Sequence, residues 1–75
     1  MDMLYTDPVL NASIKDLEFS ADFIKKTRQL RFVTLTDLLA YQPNDLLKLP
    51  GFGYRQLTEY IDFMEKENLG KYVMP

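Results

Sequence analysis

The residues best suited to binding chemistry lie together between positions 45 and 57, in the stretch Asp-Leu-Leu-Lys-Leu-Pro-Gly-Phe-Gly-Tyr-Arg-Gln-Leu. Two helical patterns are joined there by a Pro-Gly-hydrophobic-Gly turn, which is the pattern of a helix-hairpin-helix motif. Glycines permit positive φ and close approach, while the start of the following helix presents unpaired N–H groups and a positive dipole end. Such a turn can hold a backbone phosphate of a nucleic acid without reading its bases.

The predicted binding set combines the turn, the side chains beside it and two cations of an earlier helix. Lys48 and Arg55 flank the turn and add positive charge, and we expect the side chains at positions 54 to 56 to be exposed near the ligand. The full set is Lys25, Arg28, Lys48, Gly51, Gly53, Tyr54, Arg55 and Gln56.

Each of these features has a purely structural alternative. The turn is also a good tight connection between two helices, with Phe52 inserted into the core. Lys25, Arg28 and Arg31, spaced by three residues, form either a basic binding stripe or an ordinary solvated helix face.

Catalysis is disfavoured by what the sequence lacks. It contains no cysteine and no histidine, which removes disulfides, thiolate nucleophiles, the usual zinc ligands and the commonest general base. Aspartate and glutamate are present without a nucleophile and base arrangement. We therefore predict a protein that is not an enzyme, with no metal, cofactor or small-molecule substrate.

Charge and hydropathy further limit the function. No apolar run approaches the roughly 20 residues that span a bilayer, and Asp2 and Asp7 lie where a signal peptide is basic, so we predict a cytoplasmic protein without membrane contact. The net charge of −2 argues against binding nucleic acid through overall charge. The distribution is polarised, with five basic and three acidic residues over positions 15–31 and four acidic residues against one basic over 59–68.

The elements that position these residues are helices, because every apolar pattern after position 13 has a period near 3.6. We predict an all-α compact bundle of four to five short helices that contains the helix-hairpin-helix motif. Residues 1–12 are predicted to form an N-terminal arm, residues 13–75 the helical domain, and residues 71–75 a tail within it.

Capping residues mark the predicted helix boundaries. A first main helix follows Ser20 and runs to about Arg31, and a second follows Thr34 with Asp37 in a capping-box position and ends near Gln42. A third begins at Pro43, and the last runs from Gly53 or Tyr54 to about Asn68, with Gly70 as its stop.

From Ile14 to about Tyr72 the chain resembles the C-terminal domain of the bacterial RNA polymerase α subunit. The motifs that carry the resemblance are Lys15-Asp16-Leu17-Glu18-Phe19-Ser20, Asp37-Leu38, Asp45-Leu46-Leu47-Lys48, and Gly53 followed by Leu57-Thr58-Glu59. The resemblance implies weak binding to the minor groove of A+T-rich DNA and contacts with transcription-related proteins. The family's principal DNA-contacting arginine corresponds to Asp22, its asparagine to Lys25, and its hairpin glycine, basic residue and serine to Gly53, Arg55 and Gln56.

Asp22 is a departure from that pattern, since a carboxylate at the arginine position opposes the negative potential of DNA. Its structural explanation is the helix dipole together with pairing to Lys26 four residues later. Met1 lies thirteen residues before the resemblance begins, so we expect a stand-alone relative without the assembly domain of a full α subunit.

Two functions follow. The first is a non-catalytic nucleic-acid-binding or transcription-associated module that holds the DNA backbone through the hairpin turn. The alternative is a protein–protein interaction domain that has kept the fold but lost DNA binding. Its contact surface would be the acidic last helix or a group of exposed tyrosines, namely Glu59, Asp62 and Glu65 or Tyr5, Tyr41, Tyr54 and Tyr72.

Overall fold

The computed structural model describes residues 7–73, and within that range it contains helices and no strand. The prediction of an all-α bundle of short helices is confirmed. The α-helices are α1 (Pro8–Asn11), α2 (Ala21–Gln29), α3 (Leu35–Leu39), α4 (Pro43–Leu46) and α5 (Tyr54–Lys66), with single 3₁₀ turns at Ile14–Asp16 and Gly70–Tyr72. Every helix between residues 7 and 73 is too short or too polar to cross a bilayer.

The helix starts follow the capping chemistry of the sequence. Ser20 Oγ accepts a hydrogen bond from the Phe23 N–H at 3.1 Å and so caps α2. Asp37 Oδ2 accepts from the Thr34 N–H at 3.1 Å, which is the returning half of a capping box at the start of α3. Pro43 occupies the first position of α4. The predicted starts of these three helices are confirmed.

The end of α2 departs from the prediction. The helix stops at Gln29, two residues before Arg31, because Arg31 adopts a left-handed conformation with φ of 64°. The Phe32 N–H then turns back to the Thr27 carbonyl at 2.9 Å, which is the long bond of a Schellman motif. A non-glycine residue therefore ends this helix, and an arginine gives no sequence signal of a helix end.

The same motif ends α5 at Lys66, again two residues earlier than predicted. Asn68 is the left-handed residue, with φ of 60°, and the Leu69 N–H bonds the Met64 carbonyl at 2.7 Å. The prediction that Gly70 stops this helix is wrong, because Asn68 closes it and Gly70 begins the last 3₁₀ turn.

The core reaches into both segments predicted to be peripheral. Leu10, in the predicted arm, is completely buried, and α1 packs on α3, where Thr36 Oγ1 donates to the Leu10 carbonyl at 2.9 Å. Val73, in the predicted tail, is also buried. The Asp7-Pro8 pair favours a turn or a short helical start, but four residues are too few to show a helical period, so the sequence predicts an arm here.

Phenylalanines connect α2 to the hairpin and to α5. Phe19 stacks on Phe23 with ring centroids 4.1 Å apart and contacts Phe63 at 4.5 Å. Phe23 in turn meets Phe52 edge-on at 6.1 Å. Phe52 is only 2% exposed, so the prediction that it fills the core beneath the turn is confirmed. This packing fixes the start of α2 beside the hairpin.

Candidate nucleic-acid interface

The hairpin turn between α4 and α5 depends on a glycine backbone. Gly51 has φ of +82°, a conformation that side chains with a Cβ adopt at a cost of about 1–2 kcal/mol. The Phe52 N–H bonds the Leu49 carbonyl at 3.1 Å, so the chain reverses tightly while the Phe52 ring enters the core. Gly51 itself is exposed on the outside of the turn.

Gly53 precedes α5 and leaves the start of that helix accessible. Its N–H donates to Gln56 Oε1 at 2.9 Å. The first backbone N–H groups of a helix have no acceptor in a preceding turn, and here they belong to Tyr54, Arg55 and Gln56. They lie at the positive end of the α5 dipole, which favours an anion.

Gln56 differs from its predicted role. The sequence predicts an exposed side chain next to the ligand, but Gln56 is 7% exposed. Its amide is used within the protein, because Nε2 donates to Asp22 Oδ2 at 2.6 Å while Oε1 accepts from the Gly53 N–H. The predicted ion pair between Asp22 and Lys26 is not formed, and Asp22 is tied to Gln56 instead.

An open groove, here called the hairpin groove, runs between the start of α2 and the turn. Lys26, which is not in the predicted binding set, is also part of this groove. Its side chain lies across Gly51, with Cδ 3.5 Å and Nζ 4.0 Å from the place where a Cβ on that glycine would stand. The residues that line the groove are Asp22, Lys26, Leu47, Leu49, Gly51, Phe52, Gly53, Arg55 and Gln56. The signal for Lys26 is its position one helical turn after Asp22, from which the sequence predicts only an ion pair between the two residues.

The structure therefore brings together half of the predicted binding set. Gly51, Gly53, Arg55 and Gln56 all line the hairpin groove. Tyr54 begins α5 beside them and is 76% exposed.

The other three predicted cations lie outside this groove. Lys48 is exposed and pairs with Asp45 at 3.5 Å. Lys25 is exposed on α2 without lining the groove, and Arg28 lines a different one.

The acidic surface considered as the alternative site is smaller than the sequence suggested. Glu59 Oε1 accepts from Ser20 Oγ at 2.9 Å and Oε2 accepts from the Ser20 N–H, so this carboxylate holds the start of α2 against α5. Lys66 Nζ donates to Glu18 Oε1 at 3.0 Å, and this bond raises the pKa of Lys66 above its ordinary value. Asp62 and Glu65 remain exposed on α5.

Tyr41 and Tyr72 line one groove beside Pro43, and Tyr54 does not line it. Tyr41 is 40% exposed and meets Phe32 edge-on at 5.6 Å, and Tyr72 is half-buried beneath Lys71. Tyr5 lies outside the described residues. Among residues 7–73, no group of three acidic, histidine or cysteine side chains is arranged to hold a metal ion.

Part of the RNA polymerase α subunit is similar in sequence to this chain. The chain is 31% identical over 68 residues to the DNA-directed RNA polymerase subunit alpha of Bacteroides fragilis, a match that covers 91% of this chain and 21% of the relative. It is 35% identical over 54 residues to that of Mesostigma viride, covering 72% of this chain and 17% of the relative. With that of Chara vulgaris the identity is 39% over 54 residues, covering 72% and 15%.

The chain is homologous to part of the RNA polymerase α subunit. It spans about a fifth of the length of the Bacteroides α subunit that it matches. No family model matches the chain, and no solved structure matches it. The sequence identities to α subunits confirm the resemblance to that subunit. The assignment of the hairpin as a DNA-binding helix-hairpin-helix motif stays a prediction.

Proposed function

We propose that this chain is a non-catalytic, transcription-associated module that contacts the DNA backbone weakly through the hairpin groove. The observation that carries the proposal is the homology to polymerase α subunits, combined with a solvent-open helix start that follows two glycines and has two cations beside it. The contact would involve backbone phosphates, with a preference for the A+T-rich minor groove that comes from the family resemblance.

Three features of the groove favour a phosphate. The free N–H groups at the start of α5 supply directed donors, and the helix dipole adds partial positive charge. Lys26 Nζ lies against the turn, and Arg55 follows one residue after the helix start. Gly53 places no side chain between the backbone and an approaching phosphate.

Asp22 limits the strength of this contact. Its carboxylate lines the same groove, so two cations are offset by one anion and the local net charge is +1. The hydrogen bond from Gln56 directs one carboxylate oxygen into the protein. We therefore expect weak affinity that falls with salt, because few counterions are released on binding.

Fluorescence anisotropy with labelled A+T-rich and G+C-rich duplexes, at low and moderate salt, tests the proposal. Lys26→Ala should weaken binding and reduce the salt slope by about one. Lys71→Ala removes the same charge away from the groove and should leave the affinity nearly unchanged. Absence of binding by the folded wild type at low salt would contradict the proposal.

Gly53→Ala probes the backbone contact without a change of charge. The new Cβ would meet Gln56 Oε1 at 3.6 Å, an ordinary contact, and the φ of −105° is open to alanine. The fold should therefore persist with a loss of no more than about 1 kcal/mol, while the methyl group separates the phosphate from the N–H groups and weakens binding. An unchanged affinity would show that DNA does not approach this backbone.

The second candidate function is a protein–protein interaction domain without DNA binding. Asp22 in the groove favours it, as do the exposed Asp62 and Glu65 on α5. If the folded protein fails to bind duplexes, a partner that carries basic residues should be sought against that surface of α5.

A further inference from the structure

A second groove shares no residue with the hairpin groove and has a different chemistry. Ile24, Phe32 and Val33 give it apolar walls, and Lys15 and Arg28 stand at its rim. Its volume is about 230 Å³. A cavity of about 150 Å³ accommodates benzene, so this groove, here called the α2 groove, has room for one large apolar side chain.

Val33 is the most unusual part of the α2 groove. It is 60% exposed, although it is aliphatic. Its backbone is fully used, because its carbonyl accepts from the Ile14 N–H at 2.8 Å and its N–H donates to Asp37 Oδ2 at 2.8 Å. A partner cannot add a β-strand at this residue, so what Val33 offers to a partner is its apolar side chain.

The two rim cations are available to a partner. Lys15 and Arg28 are exposed, and the ion pairs among residues 7–73 are Lys48 with Asp45 and Lys66 with Glu18. The hydroxyl of Thr27 points inward, donating to the carbonyls of Phe23 and Ile24 at 3.0 Å. The groove therefore presents two exposed cations, and Ser13 and Thr27 are the other polar residues that line it.

The combination of apolar walls and exposed cations favours one class of partner. A nucleic-acid backbone would satisfy the cations but would leave the apolar walls without a hydrophobic partner. An acidic peptide with one large aliphatic side chain satisfies both, since burial of that side chain supplies free energy and its neighbouring carboxylates meet the rim.

We propose that the α2 groove binds an acidic peptide segment of a partner protein, with a leucine-like side chain held between Ile24, Phe32 and Val33. Carboxylates on either side of that leucine pair with Lys15 and Arg28. The proposal does not depend on DNA binding at the hairpin groove, because the two grooves have no residue in common.

Backbone amide NMR shifts of the full chain, titrated with a capped Glu-Asp-Leu-Glu-Asp peptide, test this proposal. Saturable shifts should centre on Lys15, Arg28 and Val33, and replacing the peptide's leucine by alanine should weaken binding about tenfold. The charge-matched alanine peptide separates insertion of the side chain from simple attraction between charges.

Val33→Asp should abolish peptide binding while the protein stays folded, because that side chain is already largely in solvent. Arg55→Ala, in the hairpin groove, should leave peptide binding intact even if it changes DNA binding. The proposal is overturned if no shifts occur, if the leucine and alanine peptides bind equally, or if the shifts centre on the hairpin. It is also overturned if an A+T-rich duplex shifts the same α2-groove amides and displaces the peptide.

Discussion

Gln56 Nε2 donates to Asp22 Oδ2 at 2.6 Å, and Oε1 of the same amide accepts from the Gly53 N–H at 2.9 Å. One side chain thus joins the start of α2, the hairpin turn and the first turn of α5, across 34 positions of sequence. A nearly buried amide is suited to this role because it donates at one end and accepts at the other.

Gln56→Glu should make the stability of the fold depend on pH through the contact between residues 56 and 22. The new carboxylate would face Asp22 at hydrogen-bond distance, which raises the folded-state pKa of the pair. The loss of stability is therefore absent below the ordinary carboxyl pKa of about 4, develops as the pH rises from there through the raised folded-state pKa, and reaches about 1–3 kcal/mol at pH 7. Denaturant unfolding at pH 3 and pH 7 measures it, and equal losses at both values would contradict the assignment. Combination with Asp22→Asn should recover most of the loss at pH 7.

Phe52→Ala should destabilise the fold by about 3–5 kcal/mol, because the ring is 2% exposed and its removal opens a cavity beside Phe23. Chemical denaturation gives the value. Tyr54→Ala is the control, since that aromatic side chain lies two positions away and is 76% exposed, and its effect on stability should be small. Similar losses of stability in the two variants would contradict the burial of Phe52 beneath the hairpin turn.

Asp22→Asn separates the charge of Asp22 from its structural role. The asparagine carbonyl oxygen can still accept from Gln56 Nε2, so the joint persists while one negative charge leaves the hairpin groove. If the groove contacts DNA, this variant should bind A+T-rich duplex more tightly.

Asp22→Arg should bind more tightly still, with a salt slope steeper by about one phosphate contact. Adding Arg55→Ala should reverse part of the gain, and identical isotherms for all variants would exclude the groove as the DNA contact.

Arg31→Gly should stabilise the protein by about 0.5–1 kcal/mol, since the left-handed conformation strains an arginine and suits glycine. Asn68→Gly should gain less, because asparagine tolerates that conformation better. Thermal melting of the two variants side by side measures the difference. A loss of stability in Arg31→Gly would mean that the arginine side chain contributes more than its backbone strain costs.

The sequence predicted the parts of the fold that depend on local chemistry. Ser20, Thr34 and Pro43 mark helix starts through bonds or ring geometry within a few residues, and such signals can be found without tertiary information. The predicted helix ends lie too far along the chain for two reasons. Arg31 gives no sign of a left-handed residue, and Asn68, a residue type that does end helices, is included in the predicted helix.

The candidate site was predictable only in part, for a related reason. The glycines of the turn reveal themselves by type, whereas the burial of Gln56 depends on Asp22, which is distant in sequence and close only in the folded chain. The position of Lys26 over Gly51 likewise requires α2 to pack beside the hairpin. Periodicity shows which face of a helix is apolar, but it does not show which polar residue meets which turn.

The burial of Leu10 has a practical consequence for defining the smallest fragment that folds. Protection of the chain from proteases should begin no later than Asp7, whose Oδ1 caps α1 by accepting from the Val9 N–H at 2.9 Å. An expression boundary drawn at Ser13, where the apolar periodicity starts, would cut away a fully buried leucine and leave its pocket against α3 open to water.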